Sequence, residues 1–310
     1  MAADRGGLSL SGGLIDGHHH LWDLAAVAYP WLADRTPRFF GDPAPIAGLH
    51  DLARFQAEHA GRAVAASVHV QVGAADPLAE TRWLGREADA AGWPMAIVAA
   101  TDLTAADLPD RLDWLAEAAD GRLRGVRQIV ARHPAEDGPH PGALLRDPAF
   151  ARGLAELARR GLSFDLQLVA PLLPDAARLF ATLPGLAVAL CHCGSPWDES
   201  PAAMARWAAD LAGFAHAVPG AVVKLSGLGM LRPDGAGVAA IVAGVRAAVP
   251  PGRILWGSNW PVDSLHRLEQ PGDRRGHRFQ AAIAQIVDVD CRLNTPGRLD
   301  RRLEHHRGPP

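Results

Sequence analysis

Three histidines run together at positions 18–20, directly after the apolar stretch Leu14-Ile15-Asp16. Alternate side chains of an extended strand point the same way, so His18 and His20 share a face. Two imidazoles converging from one strand end suit a borderline divalent metal such as zinc. The string C-H-C-G places His192 as the polar residue closing the apolar run Leu186–Cys191. Arg127 and Gln128 lie toward the end of the run Leu123–Val130. An arginine there can hold a carboxylate or polarise a carbonyl. His69 with Gln71, and Asp165 with Gln167, are two further pairs spaced to share a strand face. Lys224 and Ser226 end another run, and Gly257-Ser258-Asn259-Trp260-Pro261-Val262-Asp263 follows the last. Each pair alone is weak, because strand interiors also carry structural polar networks.

The elements that must position these residues repeat in order. Eight short apolar runs begin near positions 14, 63, 95, 123, 162, 186, 221 and 253. Between them lie alanine- and leucine-rich stretches of helical pattern at 49–60, 76–91, 105–119, 148–160, 174–183, 201–218 and 235–249. Gly92, Gly121, Gly161 and Pro219 follow four of these, as expected at helix ends. Eight strands with seven crossover helices is the pattern of a single-domain α/β fold, the (β/α)8 TIM barrel. An open doubly wound sheet is the alternative, but no G-x-G-x-x-G follows the first strand. The expected organisation is an N-terminal extension at 1–13, a barrel over 14–288 with its eighth helix at 278–287, and a poorly ordered tail at 289–310. In such a barrel the strand C-termini form the active-site face, where the polar residues above fall. The segment 23–45 follows the first strand and is rich in proline and aromatics (Tyr29, Trp31, Phe39, Phe40). It reads as a substrate-covering loop.

Composition narrows the function classes. The 310 residues are 48% apolar and 21% charged, with a net charge of −3. That balance offers no footprint for nucleic acid or an anionic membrane. No basic and apolar leader begins the chain, and no run approaches the roughly 20 apolar residues of a membrane span. A soluble cytoplasmic protein acting on a small molecule is expected, and a homo-oligomer is compatible. Lysine is very scarce, which reads as compositional habit. The cysteines, Cys191, Cys193 and Cys291, are a poor disulfide framework. On an extended strand, Cys191 and Cys193 share the face opposite His192 and read as small buried apolar residues.

Taken in order, the motifs resemble the lactonase-like members of the amidohydrolase-related family. They are I-D-G-H-H-H-L-W-D with Y-P-W-L after it, R-G-V-R-Q, S-F-D-L-Q, C-H-C-G, V-K-L-S-G-L-G and W-G-S-N-W-P-V-D-S-L. The likeness spans about Leu14 to His266. It implies a (β/α)8 barrel with His18 and His20 as the H-x-H of strand 1 and His192 as the histidine of strand 6. It also implies lactone hydrolysis, which some members perform with a divalent metal and some without. Many members carry an aspartate on the final strand, whereas this chain has Asn259, which cannot take a proton in that role. Asp263 is the nearest replacement.

The expected chemistry is therefore hydrolysis of a small cyclic ester or related carbonyl compound. His18, His20 and His192 would hold a divalent metal, most plausibly zinc. Asp263 would accept the proton, and Arg127 would bind a substrate carboxylate or the developing oxyanion, beside Asn259. Trp22, Tyr29 and Trp31 would shape the pocket, with His69, Gln71, Gln128, Asp165 and Gln167 as further substrate contacts. A metal-free mechanism, a decarboxylase of the same superfamily and a non-catalytic barrel that binds a small acid are the competing expectations.

Overall fold

A computed structural model describes residues 13–62 and 64–266. Eight strands, β1 (Leu14–His19), β2 (Val64–Val70), β3 (Met95–Ala99), β4 (Leu123–Val126), β5 (Ser163–Leu166), β6 (Val188–Leu190), β7 (Val222–Leu225) and β8 (Ile254–Trp256), form one sheet in sequence order. All seven successive pairings are parallel. The crossovers are α1 (Leu52–His59), α2 (Pro77–Ala90), α3 (Leu108–Ala118), α4 (Pro148–Arg159), α5 (Leu173–Phe180), α6 (Pro201–Ala217) and α7 (Val238–Ala248). The fold is the expected (β/α)8 barrel. The expected eighth helix at 278–287, the tail at 289–310, Cys291 and all but the last residue of the extension at 1–13 lie outside the described residues. Within them, no helix is long and apolar enough to cross a membrane.

Local chemistry sets the helix starts. Asp76 accepts from the amides of Leu78 and Ala79, and Pro77 follows it. Asp147 with Pro148 and Ser200 with Pro201 repeat the device. A capping oxygen satisfies an amide the helix leaves bare, and proline needs no partner at the first position. Gly161, past the end of α4, adopts the left-handed conformation that ends a helix. The layer between strands and helices is apolar. Phe164 of β5, for example, lies between Phe150 of α4 and Phe180 of α5, with ring centroids 5.6 and 5.8 Å away. Each such ring buried contributes about 1.5–3 kcal/mol.

The strands are shorter than their apolar runs. Arg127, Gln128, Gln167 and His192 all lie just beyond strand ends, where the chain turns into loops. The 191–194 segment turns most sharply, since His192 and Cys193 both have left-handed φ (50° and 57°). The single extended face expected for Cys191 and Cys193 is therefore broken. Cys191 Sγ lies 3.7 Å from Asp165 inside the barrel, whereas Cys193 packs into the strand–helix core that includes Trp207.

The seam between β8 and β1 closes the barrel without a regular ladder. Asn259 N donates to His18 O (2.8 Å) and His20 N donates to Trp260 O (2.7 Å). The Asp16 carboxylate accepts from His18 N and Ser258 N, both at 3.0 Å, through one oxygen. At Gly257 a Cβ would stand 2.5 Å from His18 Cβ and 2.9 Å from its amide nitrogen.

Two outcomes test this seam. Gly257→Ala is expected to lower unfolding free energy by roughly 1–3 kcal/mol in denaturant titration, as overpacking does. Burial raises the Asp16 pKa from 3.8 to about 6. Folding thus favours its neutral form, and that contribution is present below pH 3.8 and lost as pH rises through 6. Asp16→Asn carries no such charge. Its stability relative to wild type should improve between pH 4 and pH 7 by up to about 3 kcal/mol; a pH-independent difference would contradict this account.

Candidate active site

Three imidazoles meet at the C-terminal mouth of the barrel. The His18 ring centroid lies 5.1 Å from that of His20 and 4.6 Å from that of His192. Strand alternation turns His19 the other way, where it stacks on Phe55 of α1 at 4.3 Å. His18 is fully buried and neither ring nitrogen has a hydrogen-bond partner. His19 shares that property, so an orphaned nitrogen alone does not mark the site; the neighbouring rings do. His20 meets Val70 O through Nδ1 (2.6 Å) and Asn259 Oδ1 through Nε2 (3.2 Å). His192 meets Ser226 Oγ through Nδ1 (3.0 Å), which leaves Nε2 as its unengaged ring nitrogen.

Electrostatics keep these rings neutral. Burial, then His192 and Lys224, holds His18 well below its usual range. Burial and the Arg127 charge push His20 and His192 down to about 3. Such imidazoles are poor proton acceptors near neutrality, yet their lone pairs stay available to a metal. Neutral imidazoles of this kind suit a divalent metal, but His18, His20 and His192 are not among the described groups whose ligand atoms converge. The group that does converge among the described residues is His18, Asp165 and Cys191, whose ligand atoms lie within 4.8 Å of one another. Two features weaken that set. Lys224 Nζ already sits 2.5 Å from Asp165 Oδ2, and burial pushes the Cys191 thiol up to about 12. Lys224 is the only lysine in the chain.

Above the histidines lies a cavity of about 260 Å³. His20, His192, Asn259, Arg127 and Gln167 supply its polar wall. Arg127 is buried and donates to Gln167 Oε1 (2.8 Å) and to the Gln71 carbonyl, both neutral partners. The 23–45 segment lies over this cavity with Trp31, Arg38, Phe39 and Phe40 in its lining. Trp31 Nε1 fastens it to Val72 O (2.7 Å), and Arg38 pairs with Glu136 at 2.5 Å. Phe39 stacks on His133 at 5.2 Å. Among the described residues, the lining holds Arg38, Arg127 and Arg132 but no carboxylate. A second cavity of about 550 Å³ shares Arg127, Ile129 and Arg132 with the first.

The expected site residues divide accordingly. His20, His192, Asn259, Arg127, Gln167 and Trp31 reach the first cavity, with His18 directly beneath. Gln71 and Gln128 line the second instead; Gln128 is held by Leu103 N and Asp102. Trp22 and Tyr29 do not reach either cavity. Trp22 Nε1 donates to the carbonyls of Ile46 and Gly48, and Tyr29 donates to buried Glu80, so both brace the covering loop from beneath. His69 accepts from Leu21 N (3.1 Å) and supports β1. Asp165 is buried a layer below, bound to Lys224. Asp263 does not stand where a proton acceptor is needed. Its carboxylate lies behind Asn259, accepting from Gly229 N (3.0 Å), Met230 N (3.1 Å) and Asn259 Nδ2 (2.8 Å). Sequence reasoning missed Arg38, Arg132 and Met230. Arg38 and Arg132 sit in loops and Met230 in the short helix Leu228–Leu231, none with a periodicity that marks a site, and only their gathering over the barrel mouth brings them together.

A sequence model of the family described as Amidohydrolase matches residues 15–286. An uncharacterised protein of Sinorhizobium fredii is 34% identical over 81% of this chain and 86% of the relative. An L-fucono-1,5-lactonase of Burkholderia multivorans is 32% identical over 80% of this chain and 82% of its own length. Among solved structures, an amidohydrolase from Burkholderia multivorans with bound zinc is 28% identical, covers 89% of this chain and 92% of its own, and superposes with TM-score 0.69.

The buried Lys224–Asp165 pair carries its own test. Lys224→Met leaves a buried carboxylate without its cation, which costs about 3–5 kcal/mol. The double variant Lys224→Met, Asp165→Leu should recover part of that loss. If the single variant unfolds at the wild-type denaturant midpoint, the pair contributes nothing to the barrel interior.

Proposed function

On the premise that this chain belongs to the amidohydrolase family and is a hydrolase, we propose that it opens small lactones with a divalent metal, zinc in kind, held by His18, His20 and His192. The observation that carries the reading is the cluster of three neutral, buried imidazoles beneath a small covered cavity whose described lining has arginines and no carboxylate. The likeness to L-fucono-1,5-lactonases supports a sugar lactone or a related acidic cyclic ester as substrate.

A bound divalent metal supplies polarisation of a carbonyl and acidification of water. The chain's own residues do the rest. Arg127 has an Nε without a partner and only neutral acceptors for its other contacts. That leaves its charge free to bind the substrate's carboxylate or the oxyanion that forms as water adds to the ring carbonyl. Gln167 fixes the plane of that guanidinium. Arg132, at the junction of the two cavities, draws the acid released by ring opening. Trp31, Phe39 and Phe40 exclude bulk water and strengthen these interactions.

The test is a screen of sugar 1,5-lactones in weakly buffered solution, with acid release followed by an indicator. Ring opening well above the uncatalysed rate is expected. Arg127→Met should reduce kcat/KM by about 10²–10³-fold, the usual effect of losing one oxyanion donor. His192→Ala should also reduce turnover, and unchanged turnover would sink the reading. Carbon dioxide release without ring opening would replace it with decarboxylation.

A further inference from the structure

The two cavities at the barrel mouth differ in size and in charge. The one above the histidines is about 260 Å³, whereas cavities that hold ligands commonly run to about 300–1,000 Å³. It takes one small ring and little else. The second is about 550 Å³. Arg127, Ile129 and Arg132 belong to both linings, so the residues after β4 form a wall common to the two. The Arg127 guanidinium stands in that wall. It donates to Gln167 of the first lining and to the carbonyl of Gln71 of the second. A ligand held beside Arg127 in the first cavity therefore adjoins the second.

The second lining suits a neutral group rich in hydroxyls. Asp76 and Asp102 line it together with Arg111, Arg127 and Arg132. That mixed charge favours neither an anion nor a cation, unlike the arginines of the first cavity. Two of its polar side chains are held in place. Gln128 Oε1 accepts from Leu103 N (2.9 Å), and Gln128 Nε2 donates to Asp102 Oδ1 (3.2 Å). Asp102 Oδ1 also accepts from Thr104 N (2.9 Å) and Thr104 Oγ1 (2.7 Å). Among the described residues, these bonds leave Asp102 Oδ2 and the second Nε2 hydrogen of Gln128 uncommitted. One acceptor and one donor thus stand side by side, and a hydroxyl, which both donates and accepts, satisfies them together. Trp114 of α3 lines the same cavity. Its side chain is 51% exposed, more than any other large apolar one among the described residues. An indole face packs against the C–H face of a sugar ring while fixed polar groups take the hydroxyls at its edge.

We propose that the second cavity is a subsite for a neutral glycosyl unit, with Trp114 as its stacking face and Asp102 and Gln128 as its hydroxyl-binding pair. The substrate is then a disaccharide lactone. Its lactone ring occupies the first cavity, and the second sugar rests in the other. Water adds to the ring carbonyl, the ring C–O bond breaks, and the product is a disaccharide acid. This rests on the lactone reading above and narrows it from sugar lactones in general to glycosylated ones. Trp114, Asp102 and Gln128 determine specificity, and none of them touches the reacting carbonyl.

The test compares kcat/KM of the full-length protein for glucono-1,5-lactone with that for cellobiono-, maltobiono- and lactobiono-1,5-lactone. At least one disaccharide lactone should exceed the parent about 10-fold, because binding energy from a remote part of a substrate is used at the reacting centre. Trp114→Ala should lower that ratio about 3- to 10-fold, the range for one aromatic contact. Trp114→Phe keeps a ring and should hold most of the ratio. Thermal melts establish that both variants are folded, and a merely structural defect would slow both substrates and leave their ratio alone. Isothermal titration with gluconate and with the three disaccharide acids gives a readout without turnover. A disaccharide acid should bind wild type more tightly than gluconate does, and should lose that advantage in Trp114→Ala. If glucono-1,5-lactone is opened and no disaccharide lactone exceeds it, the glycosyl subsite is wrong while the lactone reading stands. A ratio unchanged in folded Trp114→Ala also overturns the subsite. If no lactone is opened, the lactone reading falls and the titration decides the subsite by itself: equal binding of gluconate and the disaccharide acids overturns it.

Discussion

The structure depends on closing the seam between the first and last strands. No regular ladder joins them; backbone bonds from Asn259 to His18 and from His20 to Trp260 do, with Asp16 bridging the amides of His18 and Ser258. The first and last strands of the barrel become neighbours there. His20 and Asn259 are 239 positions apart and face each other at 3.2 Å. The tight approach of Gly257 to His18 follows from the same closure.

Desolvation is the second organising force. It keeps the histidines neutral and the cysteine thiols protonated, and it raises Asp16 and Glu80 toward neutrality, Glu80 to about 7. In the same interior the Lys224 ammonium and the Asp165 carboxylate lie 2.5 Å apart. Arg127 is the exception, a buried cation with neutral hydrogen-bond acceptors. An anionic or electron-rich ligand would complete it. The covering loop adds to this effect by removing water from above, with Trp22 and Tyr29 acting beneath it as braces and Trp31, Phe39 and Phe40 facing the cavity.

Asp263 shows how one residue changes meaning with its surroundings. As a carboxylate near a strand end it reads as a base. With two backbone amides and an asparagine amide donating to it, it is a device for fixing orientation. The same holds for His69 and Asp165, whose spacing suggests the cavity but whose hydrogen bonds belong to the scaffold.

By itself, the sequence determined the repeating order of strands and helices, the strand-end location of His18, His20, Arg127 and His192, and the loop that covers them. It could do so because strand and helix periodicities, helix caps and strand-end polarity are local properties of the chain. Seven crossover helices and eight strands stand where their patterns place them. Tertiary structure alone decided which polar residues face the cavity and which serve the frame. That choice depends on hydrogen-bond partners contributed by distant strands and loops: Glu80 for Tyr29, Lys224 for Asp165, Gly229 and Met230 for Asp263. It also brought Arg38, Arg132 and Met230 to the mouth. Barrel closure sets those partnerships, and spacing along one strand carries no information about them.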